Sequence, residues 1–561
     1  MWEDIPVNAF FSSRVILGFS ICFLSFIHSG NILAQNGRRI PPEKPKLIVG
    51  ITVSQMRYDY ISRYWNKFGD NGFKKLINDG AFCRNVRYNY LFTQAAPGMA
   101  TIATGAVPAV HGIIADEWYD KVKKIAVKAA ADEKVKALGG SYDMGFYSPH
   151  RVVSSTVSDE LRFASPASRV ISIALDPEPA VLAGGHSANA AYWFDPYNGG
   201  WMSSSWYMDS LPRWVADFNK KKIADVYLSE MWNPLLPLDQ YSESLPDRNE
   251  YEKGIQGQIV FPYDLNKLTQ KKKERRNYDL LRFVPSGNTY TKDFAINAIL
   301  NDLLGMRSVT DMLYVTFTVT GNAGVLYGNK SVEMEDLFLR LDKDIAHFLN
   351  FIDETLGREN VLVFLTADRG IAYVPGYLEQ SRVPSGVFNA NQAMALLSSY
   401  LNILYGKADW ISYYKNQQLY LNQQLIEDSK LSLEQFQTTA ANFLVQFTGV
   451  ANAVTASTLQ QSNFTSGILW KIQNNYNQKR SGDVILHLEP GWIEKTENAT
   501  AANSSWAYDS HVPLIWYAWK IRRQNINTLY DPTCIAPTLS VFLDIMFPNG
   551  SAGNTIMELL Q

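Results

Sequence analysis

Cysteine is scarce in this chain: 561 residues contain three, at positions 22, 83 and 534. None stands at the short spacing of a zinc ribbon or a redox motif, so a cysteine-built metal site is excluded. Long basic runs are missing too. With a net charge of −2 and nothing that would track a phosphate backbone, neither nucleic acid nor a charged membrane surface is an expected partner. There is no internal repeat and no long low-complexity segment. The apolar stretch Val15 to Ile27 is too short to be read as a membrane span. It follows Arg14 and precedes mostly small and polar residues through Ala34-Gln35, the pattern of an export signal.

The sequence therefore predicts a signal peptide over 1–34, cleaved after Ala34, and a proline-rich leader over 35–45. A periplasmic or secreted protein follows, with no transmembrane domain after cleavage. An uncleaved anchor is the alternative, because Glu3 and Asp4 precede the apolar run and Ile32 takes a place usually held by a small residue. Cys22 directly follows Ile21, which speaks against lipidation. The mature chain would keep Cys83 and Cys534, which could pair or remain buried thiols; buried thiols are the expectation.

Hydrophobic residues make up 46% of the chain, enough for a large core. Short apolar runs at Leu47 to Val53, Met312 to Val319, Val361 to Thr366 and Leu514 to Trp519 read as strands covered on both faces. Leu337, Leu341, Ile345, Phe348 and Ile352 recur at spacings of three and four, predicting a core helix that stops near Gly357. In an open parallel sheet of this kind, chemistry gathers at the C-terminal ends of the strands. Two regions interrupt the alternation. Residues 196–300 read as an insertion over the sheet, with a solvated basic run from Lys271 to Arg276. Residues 388–490 read as an α+β insertion whose clearest helix opens at the capping box Ser432 to Gln435.

Several stretches together resemble the PafA-like alkaline phosphatases of the alkaline phosphatase and nucleotide pyrophosphatase superfamily. They are KPKLIVGITVSQMRYDYISRY at 44–64, YNYLFTQAAPGMATIATGAVPAVHGI at 88–113, GGHSANAAYWFD at 184–195, VEMEDLFLRLDKDIAHFL at 332–349, VLVFLTADRG at 361–370 and YDSHVPLIWYAW at 508–519. The resemblance implies an α/β fold: a sandwich with a central, mostly parallel sheet, helices on both faces and α+β insertions. It places the main domain at 46–545 and leaves 546–561 as a C-terminal tail.

In the family, two zinc ions about 4 Å apart hold a phosphoryl group and activate a hydroxyl at a helix N-terminus. Alignment with the family puts Ala95 on the nucleophile. One metal would take an Asp and a His at positions now Gly321 and Val325, plus a C-terminal His aligned with His511. The other would take an Asp now Ser54 and an Asp-His pair now Asp368-Arg369. Only Asp368 and His511 remain, one for each metal, too few to close a four-coordinate site. The family's phosphate contacts fall at Asp116, Asp176 and Glu178, carboxylates that repel a phosphate dianion.

The reading is thus a secreted pseudophosphatase that binds, or serves in an assembly, with no catalytic, metal or substrate-binding residue and no cofactor expected. Its partner is an unknown protein or small molecule. The alternative is a weakly active or altered phosphoric or sulfuric ester hydrolase that would need zinc. Asp368 and His511 read as structural residues, as do His111 and His186; Thr93, two residues before Ala95, lies off the helix N-terminus and is a poor substitute nucleophile. A buried, unpaired Asp368 is costly, so a basic side chain, Arg369 first, is expected at salt-bridge distance from it.

Overall fold

Runs of β-branched and aromatic residues set the centre of the molecule. In the strands Leu47–Val53, Asp311–Phe317 and Val361–Thr366 every residue is buried, which requires helices on both faces of the sheet they form. The computed structural model describes residues 41–270 and 276–560. The segment 1–34 expected to be a signal peptide, most of the expected leader and the basic positions 271–275 lie outside the described residues; Arg276, at the end of that run, pairs with Asp225.

Ten strands form the principal sheet. Its centre is parallel: Leu47–Val53 lies between Asp311–Phe317 and Val361–Thr366, and Val170–Ala174 and Ala190–Phe194 continue the parallel order outward. His511–Ala518 runs antiparallel beside Val361–Thr366. The core helix spans Val332–Leu356 and ends at Gly357, whose positive φ of 83° suits glycine. No helix among the described residues is long and apolar enough to cross a membrane. Cys83 and Cys534 are buried free thiols.

Residues 196–300 do more than cover the sheet. Trp201–Ser204 pairs with Ala190–Phe194, and Trp201 stacks on Phe294 of the helix Pro285–Asp302 at 4.3 Å, so both ends of the segment belong to the main core. Residues 388–490 have a core of their own, with a four-stranded sheet and the helix Leu433–Leu444. That helix is capped by Ser432, whose hydroxyl accepts the Gln435 N–H.

The Asp311–Phe317 strand stops two residues before the β-branched run suggests. Thr318 already has helical backbone angles, and Val319–Tyr327 is a helix. Gly321 and Val325 therefore sit four apart on one helix and not on a strand end.

Candidate functional site

The parallel strands deliver their C-terminal ends to one pocket. Ser54 follows the first strand, Thr318 follows Asp311–Phe317, Asp176 lies just past Val170–Ala174, and Arg369 just past Val361–Thr366. With Ala95, Asp116, Glu178, Pro179 and Asn322 they line a cavity of about 210 Å³. Of the positions singled out in the sequence, Ser54, Ala95, Asp116, Asp176, Glu178 and Arg369 meet here.

Asp368 is fully buried and engaged on both oxygens. Oδ2 accepts from the Ser54 hydroxyl at 2.8 Å and from Arg369 Nη1 at 2.6 Å, and Oδ1 accepts the Gln55 N–H at 3.0 Å. Gln55 reaches that position with φ at 59°, a left-handed conformation that costs a residue with a Cβ roughly 1 kcal/mol or more. The expected pairing of Arg369 with Asp368 is thus present. Gly321 lies beneath this cluster: a Cβ there would collide with Ser54, and the Arg369 guanidinium is 3.6 Å from where it would stand.

Ala95 opens the helix Ala95–Thr104, whose N-cap residue Gln94 gives no side-chain cap. The cap comes from afar. Asp116 accepts the Ala96 N–H at 2.7 Å, while its own N–H donates to Gln94 Oε1 at 2.7 Å. A carboxylate of the chain thereby occupies a helix N-terminus that favours anions. Burial holds Asp116 above the ordinary carboxylate range, against the opposing pull of Arg369 and the Ala96 amide. Asp176 is paired with Arg282 and accepts from Asn322 Nδ2 at 2.9 Å. Burial, with the nearby Asp116 charge, also raises Glu178.

His511 does not join this group. Its Nε2 is 2.9 Å from the Arg84 carbonyl oxygen and its ring stacks on Tyr58 at 4.2 Å. Nor does it line the cavity. His111 bridges Thr101 and the Ile113 N–H, and burial pushes it down to about 3; His186 bridges Asp159 and the Val152 carbonyl. The Thr93 hydroxyl is spent on the Ser504 carbonyl at 2.7 Å. Val325 meets the chain at 499 through its backbone, where its carbonyl accepts the Ala499 N–H.

Sequence reasoning did not find Thr318, Asn322 or Arg282. Thr318, the first residue after a parallel strand, carried a signal that the apolar run Met312 to Val319 masked by placing it inside the strand. Arg282 carried none, since its contact with Asp176 spans 106 residues. A second cavity of about 310 Å³ begins at Gln94 and reaches Asp509, a buried acid pushed up to about 7 by desolvation. Asp509 accepts from the Ser504 hydroxyl at 2.5 Å.

The pair of zinc ions implied by the family resemblance does not fit this donor set. Ser54 offers a hydroxyl, Gly321 nothing, Val325 a hydrocarbon and Arg369 a cation, while both Asp368 oxygens already serve protein donors. Among the described residues, no group of three His, Cys, Asp or Glu side chains is arranged to hold a metal.

The family described as type I phosphodiesterase / nucleotide pyrophosphatase matches residues 48–511. The chain is 37% identical over 558 residues to a protein of Myroides odoratus named calcium-transporting ATPase, covering 98% of this chain and 100% of that one. It is 37% identical over 522 residues to alkaline phosphatase PhoV of Synechococcus elongatus, covering 92% and 93%. The crystal structure of wild-type alkaline phosphatase PafA superposes with a TM-score of 0.88 at 35% identity, covering 92% of this chain and 99% of that one.

Proposed function

Because this chain belongs to the type I phosphodiesterase / nucleotide pyrophosphatase family, as a PafA-like alkaline phosphatase homologue, we propose that it is a member which has exchanged two-metal hydrolysis for binding. It has the fold of a phosphoric ester hydrolase. The observation that carries the proposal is the saturation of Asp368 by Arg369, Ser54 and the Gln55 amide. A guanidinium adjacent to the retained carboxylate supplies positive charge but has no lone pair to ligate a metal and no coordination site at which to polarise an ester oxygen. Ala95 supplies no nucleophile in its place. Export through the segment 1–34 accompanies this reading, and N-terminal sequencing of the mature protein tests it.

The test is hydrolysis of phosphomonoesters and phosphodiesters by the purified chain with added zinc. No turnover above the no-protein control is expected. Zinc-dependent turnover that Asp368→Ala abolishes would overturn the proposal.

A second reading, a weakly active or altered ester hydrolase, draws on two observations. Relatives named alkaline phosphatases align over nearly the whole chain, and Asp368 is retained. Metal analysis separates the two: stoichiometric metal retained through purification favours the hydrolase.

A further inference from the structure

We infer that the groove between the helices Asp59–Tyr64 and Phe73–Asp79 and the strand Ala81–Arg87 binds a small aromatic carboxylate. The groove shares no lining residue with the pocket described above, so the inference goes beyond the reading of that pocket and does not depend on it.

Tyr58, Ile61, Trp65, Ile77, Phe82 and Arg84 line a cavity of about 420 Å³. Pockets for small molecules run from ~300 to ~1,000 Å³, so this one has room for a fused ring and a short side chain. Ile61 and Phe82 are buried and form its inner wall. The aromatic face is set before any ligand arrives. The Tyr58 ring stacks on Phe82 at 5.7 Å and on His511 at 4.2 Å, at interplanar angles of 14° and 8°. A planar ligand can stack on such a face without ordering it first.

Arg84 supplies the charge. Its Nε donates to Asn525 Oδ1 at 3.1 Å, and its guanidinium stands 5.9 Å from the centre of the Phe82 ring. Among the described residues, neither Nη1 nor Nη2 of Arg84 has a partner, and the side chain is exposed. The guanidinium is thus anchored at one edge and open at the other, ready for a carboxylate. Burial raises the Tyr58 hydroxyl and the Arg84 charge pulls it back, which puts these two polar groups near one another. The Tyr58 hydroxyl and the Trp65 indole N–H make no hydrogen bond among the described residues. Both side chains are only half-buried, so a ligand can reach them.

Charge complementarity selects the class. Among the described residues no carboxylate lines the groove, and Asp59, on the adjoining helix, is committed to Arg57 and Arg63. An organic cation would therefore meet Arg84 with nothing to offset the repulsion. Inorganic phosphate would use the charge and leave the aromatic wall in water, while a neutral ring would do the reverse. A ring that carries a carboxylate uses both.

Calorimetric titration of the full chain with indole-3-acetate, its neutral analogue tryptophol and its cationic analogue tryptamine tests the inference. Saturable one-to-one binding is expected, with indole-3-acetate held about fivefold more tightly than tryptophol, the upper scale of an exposed ion pair. Arg84→Gln should remove that preference, and Arg84→Glu should transfer it to tryptamine. Ser62 lines the groove with an exposed side chain, so Ser62→Trp should fill the space and weaken indole-3-acetate about tenfold, the scale of a lost aromatic contact. Circular dichroism checks the fold of each variant, and the ranking of the probes on the parent chain stands without them. Equal affinity for the three probes, a preference for tryptamine in the parent chain, or indifference of a folded Ser62→Trp variant overturns the inference. A short peptide ending in tryptophan with a free carboxylate presents the same chemistry from a protein. Tighter binding of that peptide than of indole-3-acetate overturns the small-molecule assignment. The zinc turnover assay reads the other pocket, so its outcome leaves this titration to decide the groove alone.

Discussion

At the scale of single residues, Arg369 balances the charge of the pocket. Its partner Asp368 is fully buried, so Arg369→Ala would leave a carboxylate without a cation. The expected loss is about 3 kcal/mol in urea unfolding, at the low end of the range for breaking a buried pair because Ser54 and the Gln55 amide still bond Asp368. Arg369→Lys should recover only part of it, since an ammonium lacks the planar fork. A loss below about 1 kcal/mol would mean that the two hydrogen bonds suffice alone. His111 sets a second expectation. Burial pushes its folded-state value down to about 3, whereas the unfolded chain titrates near 6.5. Between those values the unfolded state binds more protons, so His111 favours folding above about pH 6.5 and progressively loses that contribution as pH falls toward 3. Melting temperatures across this window should show a shallower acid slope in His111→Gln than in the parent chain.

At the scale of elements, the helix Ala95–Thr104 is set against the end of a strand. A Cβ on Gly98 would collide with the backbone carbonyl of Asp368, an atom that cannot rotate aside. Helix propensity favours Ala over Gly by roughly 1 kcal/mol. Overpacking costs about 1–3 kcal/mol, so Gly98→Ala should be net destabilising in chemical denaturation, and a stabilised variant would contradict the close approach. Local pattern foretold much of this framework. The strands at 47–53 and 361–366 and the helix that stops at Gly357 coincide with their apolar runs because burial on both faces, or on one stripe, leaves a periodic trace. The helix beginning at Val319 was hidden by the β-branched and aromatic run Val315 to Thr320, where tertiary context overrides propensity. The six aligned positions line one pocket; Ser54, Asp176 and Arg369 follow strands and Ala95 and Glu178 lie in the first turn of a helix, whereas Asp116 sits in the loop before the short strand Glu117–Asp120. Alignment could not separate His511 from them, because the position of that ring depends on the Arg84 carbonyl and on Tyr58, contacts made across the sheet.

At the scale of the whole molecule, the changes interlock. Ala95→Thr would restore a hydroxyl at the helix N-terminus, yet phosphatase activity with added zinc should remain at background, because Asp116 still caps the helix and Arg369 still holds Asp368. Zinc-dependent turnover from that single substitution would show that the remaining chain supplies metal ligation after all. Gly321→Asp would have to displace Ser54, and its Cβ would already touch the Arg369 guanidinium, before it could ligate anything. One consequence follows from the Arg369–Asp368 pair. A dissociable counter-ion stabilises a fold by mass action, in proportion to the logarithm of its free concentration over its dissociation constant. The guanidinium is covalently tethered to the residue next in sequence, so dilution cannot remove it and a chelator cannot compete for it. The neutralisation of this core carboxylate is thereby independent of the supply of trace metal in the surroundings.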